Sequence, residues 1–371
     1  MVRQSHTQEN LRVLIAGGGT GGHVIPALAI ARELVEQYGA EVRFVGTAKG
    51  LETKLVPAAG FPLDLIQVGQ LNRVSLTTRL TTIVRLPLGI LACVDLLRRF
   101  RPHVVLGVGG YASGPAMLAA IGTRTPRVAF EPNAVPGMAN RLVGRWVQAA
   151  AVNFPGTARW FAHAQVTGIP VRPEFFHLSR RPADASPQLL VFGGSQGARV
   201  LNRMVPQIAE RLFNAMPGLT ILHQSGTRHL DGTQQAYLQS AGLRGRWRNS
   251  WDVQPFLDDM PQRFAAASLV LCRSGASTVA ELAAASKPSL LIPFPQAADD
   301  HQRSNAEVFV QAGAARMLLE PELTPEHLLS ELIGLFQSPA ELEDMGSKAR
   351  ALAHADAAQA IAAILHQQRS I

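Results

Sequence analysis

The sequence predicts an α/β fold built from two Rossmann-like domains, each with a parallel sheet. A short apolar strand at Arg12–Ala16 is followed by a glycine-rich turn at residues 17–23 and by a helix with apolar spacing at residues 24–38. The same order of strand, turn and helix returns at residues 189–215. The 371 residues are 47% hydrophobic and only 6% aromatic, which suits two α/β domains better than an all-β sandwich.

The other predicted elements keep this alternation, which indicates parallel strands joined by helices. In the first half they are strands at residues 41–46 and 104–108. In the second half they are, in order, a strand at 189–192, a turn at 193–197, a helix at 198–215, strands at 219–223 and Leu269–Cys272, a helix at 278–285 and a strand at 289–292.

A proline-rich stretch at residues 168–187 marks the predicted domain boundary, because proline disfavours both helices and central strands. Its prolines are Pro170, Pro173, Pro182 and Pro187. We expect a first domain at residues 1–172 and a second at residues 173–349. A last helix near residues 356–368, within the segment 350–371, is expected to pack back on the first domain.

The two halves differ in charge. Residues 1–172 carry 18 Lys and Arg against 8 Asp and Glu, a net of +10, whereas residues 173–371 carry 17 against 19, a net of −2. A basic half indicates an anionic partner, either nucleic acid or an anionic membrane surface. The cysteines, Cys93 and Cys272, lie in apolar runs, so we expect buried reduced thiols and neither a disulfide framework nor a zinc site.

The most membrane-like segment, residues 80–100, is too interrupted to span a bilayer. Arg85, Pro87 and Asp95 break it, and its longest uncharged run is the nine residues 86–94, whereas a spanning helix needs about 20. The first ten residues are polar and lack the apolar core of a signal peptide.

The first glycine-rich turn, residues 17–23, reads Gly-Gly-Gly-Thr-Gly-Gly-His and is a candidate ligand site. Glycines allow the backbone to approach a ligand closely, and the start of the next helix attracts anions. The run also fits the dinucleotide-binding pattern, but a nicotinamide site would want an acidic residue at the end of the second strand, which here reads Val-Gly-Thr up to Thr47. His23 has two interpretations, a general base or a residue that only caps the helix.

Three later segments, each of which follows a predicted strand, are candidate ligand sites as well. Residues 193–198, Gly-Gly-Ser-Gln-Gly-Ala, could hold a diphosphate through Ser195 and backbone N–H groups, or form a structural turn. Residues 273–278 open a helix on which Glu281 could accept two ribose hydroxyls, or be a solvated acid. Residues 293–302 could bind a sugar, or be a surface loop with a helix cap.

No Asp-x-Asp triplet occurs in the chain. One major class of sugar transferases, which is metal-dependent, uses such a pair of aspartates to hold a divalent cation. We therefore predict neither a metal nor a cofactor. A leaving diphosphate would instead be stabilised by helix N-termini, Ser195 and Arg172, since preorganised donors can supply roughly 3–4 kcal/mol each.

Six motifs, taken in order, resemble the MurG-type transferases of glycosyltransferase family 28, from about residue 12 to residue 306. They are Gly-Gly-Thr-Gly-Gly-His (18–23), Gly-Gly-Tyr-Ala-Ser (109–113), Glu-x-Asn-Ala-Val-Pro-Gly (131–137), Gly-x-Pro-Val-Arg (168–172), Gly-Gly-Ser-Gln-Gly-Ala (193–198) and Arg-Ser-Gly-Ala-x-Thr-x-x-Glu (273–281). The resemblance implies a GT-B fold, in which two Rossmann-like domains with parallel sheets face each other across a cleft.

The resemblance also implies a hexosyltransferase of peptidoglycan synthesis. Such an enzyme moves N-acetylglucosamine from UDP-N-acetylglucosamine to the C4 hydroxyl of undecaprenyl-diphosphate-linked muramoyl-pentapeptide, by a single inverting displacement that gives a β-1,4 link. The first domain would face the acceptor and the membrane, and the second would bind the UDP-sugar.

The residues implied by the resemblance match the candidate turns. His23 is the implied base, with Tyr111 and Glu131 near it. The implied contacts of UDP-N-acetylglucosamine are Thr20, Gly21, Gly22, Asn133, Arg172, Ser195, Leu257, Ala276, Ser277, Thr278, Glu281, His301 and Gln302.

The chain departs from the family pattern at three places. Phe130 and Pro132 stand where the family usually has His and Gln, and Ile169 stands where it usually has Asn. The loop after Pro293 also differs. The first two departures replace polar side chains by apolar ones.

Arginines flank the apolar run at residues 86–94, a pattern that suits an interfacial surface on anionic lipid. They are Arg73, Arg79, Arg85, Arg98, Arg99 and Arg101. We expect Arg79, Arg85, Leu86 and Leu88 to face the membrane, peripherally on the cytoplasmic face of the bacterial inner membrane, where other cell-wall synthesis proteins could be partners. The alternative is an ordinary buried helix with solvated ends.

Two other functions stay open. An enzyme like UDP-N-acetylglucosamine 2-epimerase would share the fold class, but it would place catalytic carboxylates in the cleft, and the loops of the first domain hold few acids beyond Glu131. A non-catalytic nucleotide-binding or nucleic-acid-binding protein would fit the basic half. Because single-strand binders interleave aromatic residues with arginines, and this chain does not, we predict no nucleic-acid partner.

Overall fold

The computed structural model describes residues 10–67, 76–179, 181–182 and 185–370, with the backbone alone described for residues 76–85 and 370. The chain divides into two units. The first comprises Met1–Pro170 and Asp356–Ile371, and the second comprises Val171–Ala355.

A seven-stranded parallel sheet forms the centre of the first unit. In chain order its elements are β1 (Arg12–Ala16), α1 (Gly21–Tyr38), β2 (Glu41–Thr47), α2 (Glu52–Ala58), β3 (Leu63–Ile66), α3 (Leu76–Phe100), β4 (Val104–Gly107), α4 (Ser113–Gly122), β5 (Arg127–Glu131), α5 (Met138–Val143), β6 (Ala149–Val152) and β7 (Ala164–Val166). The strand order is β3-β2-β1-β4-β5-β6-β7. Leu14 of β1 pairs with Arg43 on one side and with Val105 on the other.

A six-stranded parallel sheet forms the centre of the second unit. Its elements are β8 (Gln188–Phe192), α6 (Arg199–Ala215), β9 (Thr220–Gln224), α7 (Leu230–Leu238), α8 (Ala241–Arg244), β10 (Trp251–Gln254), α9 (Met260–Ala266), β11 (Leu269–Cys272), α10 (Ala276–Ala284), β12 (Ser289–Leu291), α11 (His301–Gln311), β13 (Arg316–Met317), α12 (Pro325–Phe336) and α13 (Pro339–Arg350). The strand order is β10-β9-β8-β11-β12-β13.

The last helix, α14 (Ala357–Gln367), belongs to the first unit and packs against α1. Tyr38 at the end of α1 stacks on His366 with ring centroids 4.4 Å apart. Cys93 and Cys272 are both buried.

The central strands are buried along their length, because helices cover both faces of a parallel sheet. Every residue of β4 and β11 is buried. No helix in the described part of the chain is long and apolar enough to cross a membrane.

Two helices begin earlier than the sequence predicts. The first helix was expected to begin at Val24, but α1 begins at Gly21, which places His23 in its first turn. The helix expected to begin at Thr278 begins at Ala276. In both cases the residue before the helix, Thr20 or Gly275, is extended and acts as the N-cap, so the end of the glycine-rich segment is already helical.

Candidate active site

The candidate residues gather at the carboxyl ends of the strands in each unit. In the first sheet β1 and β4 are neighbours at the point where the strand order reverses, and β8 and β11 hold the same place in the second sheet. Open α/β sheets bind ligands beyond the strand ends at such a switch point. The turns that follow these four strands, at residues 17–20, 108–112, 193–198 and 273–275, are therefore candidate ligand sites in their own unit.

The turns after β1 and β4 touch backbone to backbone. The Gly18 N–H donates to the Gly109 carbonyl at 3.3 Å. A Cβ at Gly17 would lie 2.3 Å from the Gly109 oxygen, and a Cβ at Gly110 would lie 2.3 Å from the Gly18 oxygen. Both positions also have positive φ, 147° and 81°. Glycine is therefore required there by contact as well as by conformation.

Glu52, in the first turn of α2, braces the turn after β1. Its Oε2 accepts the Gly19 N–H at 2.7 Å, and its Oε1 accepts the backbone N–H and the hydroxyl of Thr47 at 2.9 and 3.0 Å. The side chain is 2% exposed, so these hydrogen bonds compensate a buried carboxylate. Glu52 was not predicted from the sequence. The acid of a dinucleotide-binding site would lie at the end of β2, whereas Glu52 lies five residues after that end.

His23 lies in the first turn of α1 and is partly exposed. The Thr20 hydroxyl lies 3.2 Å from its Nδ1, within hydrogen-bonding distance. Its Nε2 lies beside the second turn, since a Cβ at Gly109 would be 3.0 Å from that atom. Tyr111, in the same turn as Gly109, is 40% exposed. The structure therefore brings His23, Thr20 and the turn of Tyr111 together.

Glu131, at the end of β5, is only 2% exposed and is surrounded by donors. Its Oε1 accepts the backbone N–H of Asn133 at 3.0 Å and the Asn133 side-chain amide at 3.1 Å. Its Oε2 accepts the Gly137 N–H at 3.0 Å and the Asn140 amide at 2.9 Å. Burial raises the pKa of Glu131, although these four hydrogen bonds oppose the rise. The carboxylate therefore holds the loop that carries Asn133.

Three of the residues that depart from the family pattern, Phe130, Pro132 and Ile169, lie in the first unit, and all three are buried. The Pro132 carbonyl accepts the Asn153 amide at 3.2 Å. These three side chains therefore belong to the interior of the first unit.

The turn after β8 is closed by glycine and exposes its polar side chains. Gly197 has a φ of 71°, and a Cβ there would lie 1.7 Å from the Ser225 carbonyl oxygen. Ser195 and Gln196 at the tip are exposed. The Ser195 hydroxyl is therefore accessible to a ligand.

Gln224, at the end of β9, joins this turn to the segment after β10. Its amide nitrogen donates to the Gly194 carbonyl at 2.9 Å, and its amide oxygen accepts the Leu257 N–H at 2.9 Å. Because the N–H of Leu257 is used in this way, the backbone group that Leu257 offers a ligand is its carbonyl. The role of Gln224 was not predicted, since both partners are distant in sequence.

Arg273 and Ser274 fasten the turn after β11 to the loop after β12. The buried Arg273 guanidinium donates to the carbonyls of Ile292 and Pro293 at 3.0 and 3.1 Å, and it forms an ion pair with Glu320 at 2.6 Å. The Ser274 hydroxyl donates to the Gln302 carbonyl at 2.8 Å. These contacts bring the start of α10 and the start of α11 together.

Helix α10 begins with unused hydrogen-bonding capacity. Its N-cap, Gly275, provides no side-chain cap, so the N–H groups of its first turn are donors for an anion or a hydroxyl. The Ser277 hydroxyl in that turn is buried and has no hydrogen-bond partner among the described residues.

Glu281, one turn into α10, lies near Arg172 and keeps part of its surface exposed. Burial raises the pKa of Glu281 to about 7, and the positive charge of Arg172 opposes this rise. The Arg172 guanidinium also lies over the ring of Phe175, 5.0 Å from its centroid. The site thus offers a carboxyl group that ionises near neutral pH beside a cation.

His301 and Gln302 begin α11. The Nδ1–H of His301 donates to the Ala298 carbonyl at 2.7 Å. Burial lowers the pKa of His301, although Ala298 and the carboxylates of Asp299 and Asp300 oppose the shift. The Gln302 side-chain oxygen accepts the Phe294 N–H at 3.0 Å. Gln302 therefore also shapes the loop.

The predicted membrane-facing residues are described only in part. The side chains of Arg79 and Arg85, and all of Arg73, lie outside the described residues. Leu86 is half-buried, and Leu88 is 63% exposed. In the described part of the chain, no group of three or more His, Cys, Asp or Glu side chains is placed to hold a metal ion.

Both units match models of known domains. The glycosyltransferase family 28 N-terminal domain matches residues 13–152, and the glycosyltransferase family 28 C-terminal domain matches residues 188–361. The chain belongs to glycosyltransferase family 28. This family 28 transferase therefore has the GT-B architecture that its motifs imply, with a parallel sheet in each unit.

Close relatives of this family 28 transferase are similar along nearly all of their length. A protein of Solibacter usitatus is 46% identical over 95% of both chains, and one of Anaeromyxobacter dehalogenans (strain 2CP-C) is 45% identical over 95% of this chain and 91% of the relative. Both are named UDP-N-acetylglucosamine–N-acetylmuramyl-(pentapeptide) pyrophosphoryl-undecaprenol N-acetylglucosamine transferase. The crystal structure of Acinetobacter baumannii MurG is 31% identical, with a TM-score of 0.82 over 96% of this chain and 99% of that one.

The epimerase alternative is supported at the level of fold alone. The crystal structure of UDP-GlcNAc 2-epimerase from Neisseria meningitidis gives a TM-score of 0.66 over 96% of this chain and 100% of that one, at 15% identity. The two kinds of enzyme share the architecture, whereas the sequence similarity favours the transferase.

Proposed function

We propose that this family 28 chain transfers N-acetylglucosamine from UDP-N-acetylglucosamine to the C4 hydroxyl of lipid-linked N-acetylmuramoyl-pentapeptide, with inversion at the sugar C1. The proposal is supported by relatives that carry this activity in their names and cover 95% of this chain. The observation that carries it is Glu281, a carboxyl group beside Arg172 at the uncapped start of α10, because this pair suits the vicinal hydroxyls and the base of a uridine nucleotide.

The second unit binds the donor in this proposal. Glu281 accepts the two ribose hydroxyls, while Arg172 and the carbonyl of Leu257 hold the uracil. Ser195 contacts the diphosphate, whose charge is stabilised by the start of α10. Ala276, Ser277, Thr278, His301 and Gln302 surround the sugar.

The first unit holds the acceptor and the base. His23 accepts the C4 hydroxyl proton at Nε2 while Thr20 fixes the ring through Nδ1. The C4 oxygen then forms the bond to C1 of N-acetylglucosamine as the bond from C1 to the diphosphate oxygen breaks, and UDP leaves. Tyr111 contacts the acceptor, while Gly21, Gly22 and Asn133 contribute donor contacts from this unit.

Glu131 acts as a positioning residue in this scheme. All four of its hydrogen bonds come from its own loop and from α5, so its carboxylate is committed to holding Asn133. A proton-transfer role would need an oxygen that faces the substrate.

The activity is tested by incubating the protein with UDP-N-acetylglucosamine and a short-chain lipid-linked muramoyl-pentapeptide. We expect UDP release that requires the acceptor, together with a disaccharide product. Glu281→Ala should lose donor binding, whereas Glu307→Ala, a matched change at an exposed ion pair with Arg303, should not. Acceptor-independent UDP release with formation of an epimerised sugar would support the epimerase alternative instead.

Peripheral binding to the anionic cytoplasmic face of the membrane is the second part of the proposal. Leu88 and Leu91 of α3 are each 63% exposed. Helix α3 packs on α4, which packs on α5, and the segment from α5 onward exposes Leu142 and Trp146. Exposed leucines and tryptophan in a basic unit suit a lipid interface, where anionic headgroups attract the arginines. Other cell-wall synthesis proteins as partners stay a prediction of the resemblance.

Flotation with vesicles of anionic phosphatidylglycerol tests the membrane surface. We expect the native protein to float and to be released by salt. The pair Leu88→Asp and Leu91→Asp should abolish flotation, as should Arg79→Glu with Arg85→Glu. Val310→Asp, an equally polar change at an exposed apolar residue of the second unit, should not. Equal flotation of all variants would contradict the proposed surface.

A further inference from the structure

A cavity of about 1040 Å³ lies in the second unit, away from the donor residues. Its lining includes Ser268, which precedes β11, and Lys287, which precedes β12. The cavity therefore opens at the amino ends of these strands, whereas the turns proposed to bind UDP-N-acetylglucosamine (the donor turns) follow the carboxyl ends of strands in the same sheet. None of the proposed donor-binding residues lines it.

Three basic side chains line this cavity, namely Arg181, Lys287 and Arg350, with Glu343 as the acidic residue in the lining. The Lys287 ammonium donates to the carbonyls of Ala265 and Ala267 at 3.1 and 2.9 Å. In the described part of the chain, none of the three cations has a carboxylate at ion-pair distance.

The positive charges act on one another. Burial, and then the charge of Arg181, lower the pKa of Lys287 to about 8. A cation that is half-desolvated beside another cation is stabilised by an anion, which would raise the pKa again.

The hydrogen bonds that these three cations make within the protein leave some of their N–H groups unused. Arg350 donates to the Ala284 carbonyl through one nitrogen, and its guanidinium lies over the Phe176 ring, 5.1 Å from the centroid. Arg181 donates to the Ala185 carbonyl. Lys287 has three N–H groups and two carbonyl acceptors, and each guanidinium has five N–H groups, so each side chain keeps donors for a ligand.

The size and the other walls of the cavity indicate what kind of anion it takes. Phe176 and Leu342, both partly exposed, add apolar surface to the lining. A volume of this size is at the upper end of the range of pockets for small organic ligands, and it is larger than one phosphate needs. The ligand class is therefore an organic molecule with a phosphoryl or diphosphoryl group.

We propose that this cavity, at the edge of the second sheet opposite the donor turns, is a second anion site that binds a soluble phosphorylated small molecule through Arg181, Lys287 and Arg350. The phosphoryl oxygens accept hydrogen bonds from the three cations, and the organic part lies against Phe176 and Leu342.

Pyrophosphate is the probe, added to protein already saturated with UDP so that the donor turns are occupied. The chain has four lysines, Lys49, Lys54, Lys287 and Lys348, so NMR of ¹³C-labelled lysine reads Lys287 against three internal controls. We expect saturable binding by calorimetry and a rise of about one in the pKa of Lys287, with the other three lysines unchanged.

Two charge-removing variants and a matched control complete the test. Arg181→Gln and Arg350→Gln should each weaken pyrophosphate binding about tenfold. Lys348→Gln removes the same charge from α13, where Lys348 pairs with Asp344, and should change binding less than about twofold. If Arg350→Gln unfolds because Ala284 loses its donor, Arg181→Gln decides alone, since its partner lies in a loop.

Absence of saturable binding to the UDP-saturated protein would overturn the proposal. So would an equal loss in Arg181→Gln and Lys348→Gln, which would indicate non-specific attraction to a basic surface. A Lys287 signal that stays fixed while pyrophosphate binds would place the anion elsewhere.

Discussion

In the first unit, Glu52 accepts three hydrogen bonds and Glu131 accepts four, all from the turns, strand ends and helix that they hold in place. In the second unit, Glu281 accepts none from the described residues, and its pKa is about 7. All three acids lie at or near the carboxyl ends of strands. The difference shows that a carboxylate saturated with donors serves the loop, while one that keeps its acceptor capacity is available to a ligand.

The side chains that hold the two glycine-rich turns in place differ in charge. The turn after β1 has the carboxylate of Glu52 directly on its Gly19 N–H, whereas the turn after β8 is held by the neutral amide of Gln224. A fixed negative charge disfavours a second anion nearby. The second turn is therefore the better place for a diphosphate, and the first is left to a neutral acceptor hydroxyl and its base.

The largest expected effect comes from removing the proposed base of the first unit. Because the carboxylates of Glu52 and Glu131 are saturated with hydrogen bonds, we propose that His23 takes the acceptor proton. His23→Ala should lower kcat by on the order of 10²–10⁴-fold while UDP affinity persists. Steady-state kinetics and calorimetry measure the two quantities.

Thr20→Val is the matched variant for this test, since it removes the hydrogen bond to Nδ1 but keeps the imidazole. We expect a smaller loss of kcat than in His23→Ala. Near-normal turnover in His23→Ala would move the base to another residue and break the comparison.

The next effect tests the neutral brace of the second unit. Gln224→Glu would place a carboxylate against the Gly194 carbonyl and beside the diphosphate turn. We expect UDP affinity to fall roughly 10- to 100-fold, because a hydrogen bond involving a charged partner is worth about 1.5–3 kcal/mol.

Gln224→Met provides the control, since it loses the hydrogen bond to Gly194, and the one from Leu257 as well, without adding charge. Its loss of UDP affinity, measured by calorimetry, should be smaller than that of Gln224→Glu. Equal losses would mean that the shape of the turn matters and its charge does not.

The strand–turn–helix units could be predicted because their signals are local. Short apolar runs, each followed by a glycine-containing turn, predicted β1 and β11 with the ends that the structure shows. The strands β3, β6 and β7 were not predicted. Strand β6 is mostly alanine, which has a low preference for strands.

The braces of the candidate site could not be predicted, because their partners are distant in sequence. Glu52 and Gly19 are 33 residues apart, and Gln224 lies 30 residues from Gly194 and 33 from Leu257. Glu131 was predicted from its motif, but the motif does not tell whether its oxygens face substrate or loop. Hydrogen-bond saturation is a property of the folded loops.

A smaller effect concerns the open carboxyl of the second unit. With a pKa of about 7, Glu281 is mostly protonated below neutral pH and ionised above it. The ionised form is the better acceptor for ribose hydroxyls, so affinity for UDP-N-acetylglucosamine should rise about tenfold between about pH 6 and pH 8. The donor is a suitable probe because its diphosphate is a diester that does not titrate in this range.

Glu281→Gln should flatten this pH profile, which calorimetry at a series of pH values measures. Arg172→Gln should move its midpoint upward, because the positive charge of Arg172 lowers the pKa of Glu281. A profile that persists in Glu281→Gln would assign the titration to another group, such as His301.

The smallest effect on turnover is expected at Glu131, whose hydrogen bonds all serve the loop. In Glu131→Gln one carboxylate oxygen becomes an amide NH₂ group, which faces two donors and can accept from neither. The variant should lose about 1–3 kcal/mol of unfolding free energy and only a few-fold of kcat, through a looser Asn133, with the pH profile of kcat unmoved. Thermal unfolding and a pH series measure these effects. A loss of turnover as large as that of His23→Ala, at unchanged stability and with a shifted pH profile, would instead place Glu131 in the proton transfer. Hydrogen-bond saturation of a carboxylate would then no longer distinguish the acids of the first unit from Glu281 of the second.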